Sequence, residues 1–255
     1  MAGFINTIDV LGDDAVFDSI INGTIKEFKD NTITKVRGYA FHSCTSLETV
    51  DVPNATLIEG AAFNACSSLV SFNADAVTTI MSSVFGNCAK LSELNIPSVT
   101  EIGGYAFSTC KLLQEVSTPL LTTLGTYAFE NCQALTEINF PKVTVVNSGA
   151  FRGCVALKTA DFASATSIGA NAFFNCYALK ALVLRNTESV VSLVNTNALG
   201  DNGISNGTGY IYVPSSLVNT YMNSTNWSTY SGQIRPLQPF TVDGTVTGEL
   251  DPTKI

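Results

Sequence analysis

The sequence predicts a curved solenoid of the α/β class: seven short units of equal length, stacked with a parallel sheet along the concave face. Three observations predict it. The cysteines stand at Cys44, Cys66, Cys88, Cys110, Cys132, Cys154 and Cys176, every step being 22. A phenylalanine precedes each by three positions, at Phe41, Phe63, Phe85, Phe107, Phe129, Phe151 and Phe173, and a leucine follows by three, from Leu47 to Leu179. A threonine column runs from Thr34 to Thr166 at the same period. A unit this short cannot bury an apolar face alone, but stacked copies can, so fixed columns at a short period mark a repeat architecture.

One unit, 99–120, shows how each element arises. Val99-Thr100-Glu101-Ile102 alternates apolar and polar and reads as a short strand. Gly103-Gly104 turns the chain. Ala106, Phe107 and Cys110 then fall at a spacing that reads as one face of a helical turn, with Leu113 closing the stripe. Leu113, Val116 and Thr118 take the inward positions of a second strand, which a proline ends at Pro53, Pro97, Pro119 and Pro141. Stacking pairs this strand with its copies into one continuous sheet.

The seven units cover 33–186. Residues 1–32 read as an N-terminal cap, with a degenerate first strand within 23–30 and, around Asp13, Asp14, Phe17, Ile20 and Ile21, a capped amphipathic helix over the open end. After Arg185 the repeat frame is lost. Residues 187–240 read as a C-terminal capping module, with a Gly/Asn/Asp loop, a Tyr210–Val213 strand and a helix near 215–223. Residues 241–255 are polar and read as a tail.

The pattern spanning Thr122 to Pro141, with its Ala-Phe-x-x-Cys core and Leu three residues on, resembles the BspA-type leucine-rich repeat, and so do the other six units. The segment from Tyr210 through Trp227 to Pro236 is similar to the closing module of many such proteins, which occur in gut bacteria and in their phages and prophages. The resemblance implies a leucine-rich-repeat solenoid that recognises protein or glycan at surfaces and does no catalysis.

Composition narrows the function classes. Charged residues are only 13% of the chain and the net charge is -8. Too few cations are present for a nucleic-acid partner. A single histidine removes most acid–base and zinc chemistry. No apolar run reaches the ~20 residues of a membrane span, and no signal peptide is read at the start, so the expected location is a virion or, during assembly, the cytoplasm of the host cell. No cofactor is expected, and no feature addresses oligomeric state.

The cysteine ladder is best read as buried, reduced thiols. Stacked Cβ vectors run parallel, poor geometry for a disulfide, and no Cys-x-x-Cys pair suggests a metal. His42 reads as a surface histidine. Gly203-Ile204-Ser205-Asn206-Gly207 matches a nucleophile-elbow pattern, but no histidine follows it, so a hydrolase using the 201–209 loop is a remote alternative. Tyr39, Tyr105 and Tyr127 share one position, either shielding the next turn or offering a stacking surface.

The outward strand positions carry the candidate site. Across the seven units their acids outnumber bases six to two, without an aromatic. Glu93, Asn95, Gln114, Glu115, Glu137, Asn139 and Asp161 offer acids and amides on a rigid sheet, suited to a glycan or a basic protein. Mere solvation of the face is the competing reading. The expected function is a non-enzymatic phage or prophage virion-associated or surface module binding a host protein or glycan, with a purely structural decoration or assembly protein as the alternative.

Overall fold

The computed structural model describes residues 25–237 and the backbone of 239–242 and 245–249; the predicted N-terminal helix lies outside them. Each coil has three sides. On the concave side the strands β1 (Glu27–Lys29), β2 (Thr49–Asp51), β3 (Ser71–Asn73) and β4 (Glu93–Asn95) pair in parallel as a four-stranded sheet. A second sheet holds β5 (Glu137–Asn139), β6 (Thr159–Phe162), β7 (Ala181–Leu184), β8 (Tyr210–Val213) and β9 (Ile234–Pro236). Partners in β1 to β4 stand one full repeat apart, as in Thr49 with Ser71 and Ser71 with Glu93. A second side carries two-residue strands from Lys35–Val36 to Ser192–Leu193, also in two blocks.

The third side corrects the sequence reading. The Ala-Phe-x-x-Cys segment is a pair of tight turns, not a helical one. In every unit the residues two before and two after the phenylalanine are left-handed, as at Tyr105 (φ 57°) and Thr109 (φ 65°). Alternate amides then face different partners. Ser108 and Cys110 N–H donate back into the turn, to Tyr105 and Phe107 C=O, while Tyr105, Phe107 and Thr109 N–H donate to Thr126, Ala128 and Glu130 C=O of the next coil. Inter-coil bonding therefore offsets a left-handed cost of ~1–2 kcal/mol per residue. Helical and double-turn backbones present the same apolar spacing, so the pattern alone could not separate them.

The core lies between the three sides. All seven column phenylalanines are buried, and their rings stack at 5.1–5.7 Å from Phe41 to Phe173. All seven cysteines are buried as thiols, outside any disulfide. From Cys66 to Cys176, each Sγ–H donates to the phenylalanine carbonyl of the coil before, at 2.9–3.2 Å. Burial pushes the Cys66, Cys88, Cys110, Cys132 and Cys176 thiols up, Cys88 to about 12.

Beyond Arg185 the coil persists where the sequence frame does not. Ser192 pairs with Ser167 and Tyr210 with Ala181, both spaced more widely than one repeat. Asn202, fully buried, takes the place of an eighth cysteine: its Nδ2 donates to Phe173 C=O at 3.3 Å. Helix α1 (Val218–Asn223) and Trp227 close this end. Trp227 Nε1 donates to Val191 C=O at 2.6 Å, and Val191 N–H donates to the Tyr221 hydroxyl at 3.0 Å. An antiparallel hairpin follows, Pro239–Val242 with Thr245–Glu249, and straddles the predicted boundary between capping module and tail.

Candidate functional site on the concave sheet

The concave sheet is not continuous. Among the described residues no strand forms over 114–118, and β4 makes no backbone hydrogen bond to that segment. On the other side only one bond joins it to the next concave run, Thr136 N–H to Gln114 C=O at 3.2 Å. The cause lies in the core. The innermost strand position holds Val52, Ala74, Ile96, Phe140, Phe162 or Leu184 in other units, all buried. Unit four has Thr118 there, 1% exposed, and its Oγ1 has no hydrogen-bond partner. A buried hydroxyl without a partner costs about 1–3 kcal/mol, so this run gains less from its burial than its neighbours do.

The outward side changes at the same place. Lys29, Asp51, Asn73 and Asn95 form a side-chain ladder: Lys29 to Asp51 at 2.6 Å, Asn73 Nδ2 to Asp51 Oδ1 at 2.8 Å, Asn95 Nδ2 to Asn73 Oδ1 at 2.6 Å. Ser117 is next in the column and is too short to continue it. Two depressions flank the interruption and share Glu115 and Ser117. One, of about 410 Å³, is lined by residues including Asn73, Glu93 and Asn95. The other, of about 530 Å³, is lined by residues including Thr118, Glu137, Asn139 and Asp161.

Of the seven sequence-predicted site residues, Glu93, Asn95, Glu115, Glu137 and Asn139 are exposed along these depressions. Gln114 is exposed but does not line them. Asp161 is a correction: it is 7% exposed, and Arg185 from the next coil grips both its oxygens, Nη2 to Oδ2 at 2.7 Å and Nε to Oδ1 at 3.0 Å. That bidentate pair leaves it little capacity for a ligand. Further along, Ala181 and Val183 face outward but are covered, in a small cluster with Leu237 and Tyr212. Sequence reasoning also missed that Tyr210 and Tyr212 extend the same face, in register with Ala181 and Val183. The Tyr-Ile-Tyr-Val alternation was the available signal.

The remaining candidates fall into structural roles. Tyr105 stacks on Tyr127 at 5.1 Å, and the Tyr127 ring lies against Gly149, leaving no room for a side chain there. Ser205 Oγ donates to Asn202 C=O and accepts from Asn202 N–H, while Asn202 Oδ1 accepts from the Ile204 and Ser205 amides. That network builds the corner of the eighth coil and presents no activated nucleophile. His42 packs on Tyr39 and bonds Ser43. Among the described residues no cluster of His, Cys, Asp and Glu could hold a metal, and no helix is long and apolar enough to cross a membrane.

A parallel coil with an inward Phe–Cys–Leu wedge and a polar concave sheet defines a leucine-rich-repeat solenoid. The model of the BspA type leucine rich repeat region matches residues 6–114 and 100–217 in six copies, and the chain belongs to that family. It is similar to the leucine rich repeat protein TpLRR of T. pallidum, at 27% identity over 58% of this chain and 72% of that one, with a TM-score of 0.52. A leucine-rich repeat protein from Bacteroides ovatus shares the fold at 18% identity and a TM-score of 0.51, over 71% of this chain and 59% of that one. A search of curated proteins finds no match.

Proposed function

We propose that this chain is a non-catalytic recognition module that holds a protein partner on its concave face, centred on the interrupted strand at 114–118. The observation that carries the reading is that interruption, with its two flanking depressions. On β1 to β4 the neighbouring column is a ladder whose polar groups bond one another; Glu93, Glu115 and Glu137 stand exposed in their own column with no ion pair among the described residues. Three like charges on a rigid sheet suit a basic partner surface, with little ordering entropy opposing association. The setting we propose is a virion-associated or cell-surface one, as in the phage and bacterial proteins the repeat resembles; flanking genes test that setting directly. The site is tested by changing Glu93, Glu115 and Glu137 together to Gln and measuring binding to host cells and to purified virion proteins at low salt. Binding should weaken about tenfold or more; undiminished binding overturns the placement.

A further inference from the structure

The acidic middle of the concave face gives way to a basic end, and the residues there stand outside the site proposed above. Lys158 and Lys180 occupy one column on successive coils, Lys180 N–H donating to Lys158 C=O at 2.8 Å, so their side chains leave one strand spacing apart, ~4.8 Å. Both are exposed, and among the described residues neither has an ion-pair partner. The next coil brings Tyr210, whose N–H donates to Lys180 C=O at 2.8 Å and which is 37% exposed. The last strand brings Arg235, in register with Tyr212. Its guanidinium lies over the Tyr210 ring at 4.5 Å, and its Nη1 donates to Gly232 C=O at 2.9 Å and Ile234 C=O at 2.8 Å. These contacts fix the guanidinium plane while Nε and Nη2 keep their donors, with no carboxylate paired to them among the described residues.

A guanidinium pinned on an aromatic ring with a free edge is a preformed fork for a planar or tetrahedral anion. Two ammonium groups, one and two strands beyond Tyr210, repeat positive charge in a line across the sheet. Tyr210 adds a partly open ring and a hydroxyl, a combination suited to a ligand both apolar-faced and wet. We propose that this end of the concave face binds an acidic saccharide, with Arg235 taking one anionic group and Lys180 and Lys158 taking those that follow. A nucleic acid fits worse, because three cations face a chain of net charge -8 and Glu137 stands one coil beyond Lys158. An acidic peptide fits worse too, because β6, β7 and β8 are each paired on both sides and leave no ladder for its backbone beside Lys158, Lys180 and Tyr210.

The test uses the full chain and three defined probes in calorimetric titrations: a galacturonic acid hexamer, a neutral glucose hexamer and a short poly-glutamate. The acidic hexamer should bind, more weakly as salt rises, with the neutral hexamer and poly-glutamate each about tenfold weaker or worse. Lys158→Gln with Lys180→Gln should cost about tenfold in affinity with the melting temperature unchanged, since both side chains are exposed. Arg235→Lys, which keeps the charge and loses the fork, should also weaken binding. Equal binding of the neutral hexamer, poly-glutamate binding as tightly as the acidic sugar, or an unaffected double lysine variant overturns the proposal, as does no binding of the acidic hexamer at millimolar concentration. The Glu93, Glu115 and Glu137 variant should leave this binding intact, which separates the two sites.

Discussion

Units four and five carry one pattern over the concave run, Leu-Gln-Glu-Val-Ser-Thr-Pro at 113–119 and Leu-Thr-Glu-Ile-Asn-Phe-Pro at 135–141, yet only the second forms a strand. Two inward residues separate them: Val116 against Ile138, and Thr118 against Phe140. The Phe140 ring meets Phe129 and Phe151 at 6.1 Å and Phe162 at 6.4 Å. Thr118 offers a methyl and an unpaired hydroxyl. The outward glutamate and the closing proline are alike in both, while Gln114 for Thr136 and Ser117 for Asn139 are the outward differences, so the larger change is in what the run delivers to the core. Ladder hydrogen bonds alone, each worth ~1 kcal/mol net, do not hold the run in place.

The largest effect should come from the phenylalanine column. Phe151 touches strand rings Phe140 and Phe162 besides its column neighbours, whereas among the described rings Phe107 meets Phe85 and Phe129 alone. In urea unfolding Phe151→Ala should cost about 4–5 kcal/mol and Phe107→Ala about 3 kcal/mol. An equal or larger cost at Phe107 would show that unit four is as fully packed as its neighbours.

The thiol ladder runs unbroken through both units, so it should not register the interruption. A thiol reagent should label almost nothing in the native chain and seven groups in denaturant. Cys88 ionises near 12 when folded and near its ordinary 9.0 when unfolded. The unfolded chain therefore releases that proton first. Stability present below pH 9 falls as pH rises toward 12, by ~1.4 kcal/mol per pH unit for this thiol. Cys88→Ala should flatten the alkaline slope by that amount, and an unchanged slope would mean the thiol is not held neutral by burial.

A smaller gain should follow from Thr118→Val, which keeps the shape and removes the orphan hydroxyl. Stability should rise by about 1–2 kcal/mol, and amide exchange at 115–117 should slow as the run pairs with its neighbours. A loss of stability would mean that the hydroxyl has a partner after all and that the interruption has another cause.

These contrasts also show what was legible beforehand. The Phe, Cys and Leu columns repeat at a constant spacing because each inward position is tied to a hydrogen-bonded corner, and a constant spacing can be read without coordinates. Thr118 was readable as well: it is the one polar residue among Val52, Ala74, Ile96, Phe140, Phe162 and Leu184. Its consequence for the sheet was not, since that depends on the balance between packing and an unpaired hydroxyl. Asp161 looks exposed from its strand position because its partner, Arg185, comes from the next coil and not from its own. Asn202 is hidden because residues added in the eighth coil shift it off the repeat frame, although Ala198-Leu199-Gly200-Asp201-Asn202 keeps the Ala-Phe-x-x-Cys spacing. Left-handed residues at Tyr39, Ser83 or Thr109 leave no signature, since nothing in those side chains demands that conformation.

The eighth coil shows what the corner permits. Ser192 already lies farther along the chain from its seventh-coil partner than one repeat, and Tyr210 farther still, while Asn202 bonds Phe173 across the corner. Length is added along the sides and never between the corner's buried residues. In evolutionary terms the repeat is a joint of fixed design holding panels of adjustable width. Insertions that would derange a helix bundle pass here as extra loop at the rim, and a lineage can vary the rim without redesigning the joint.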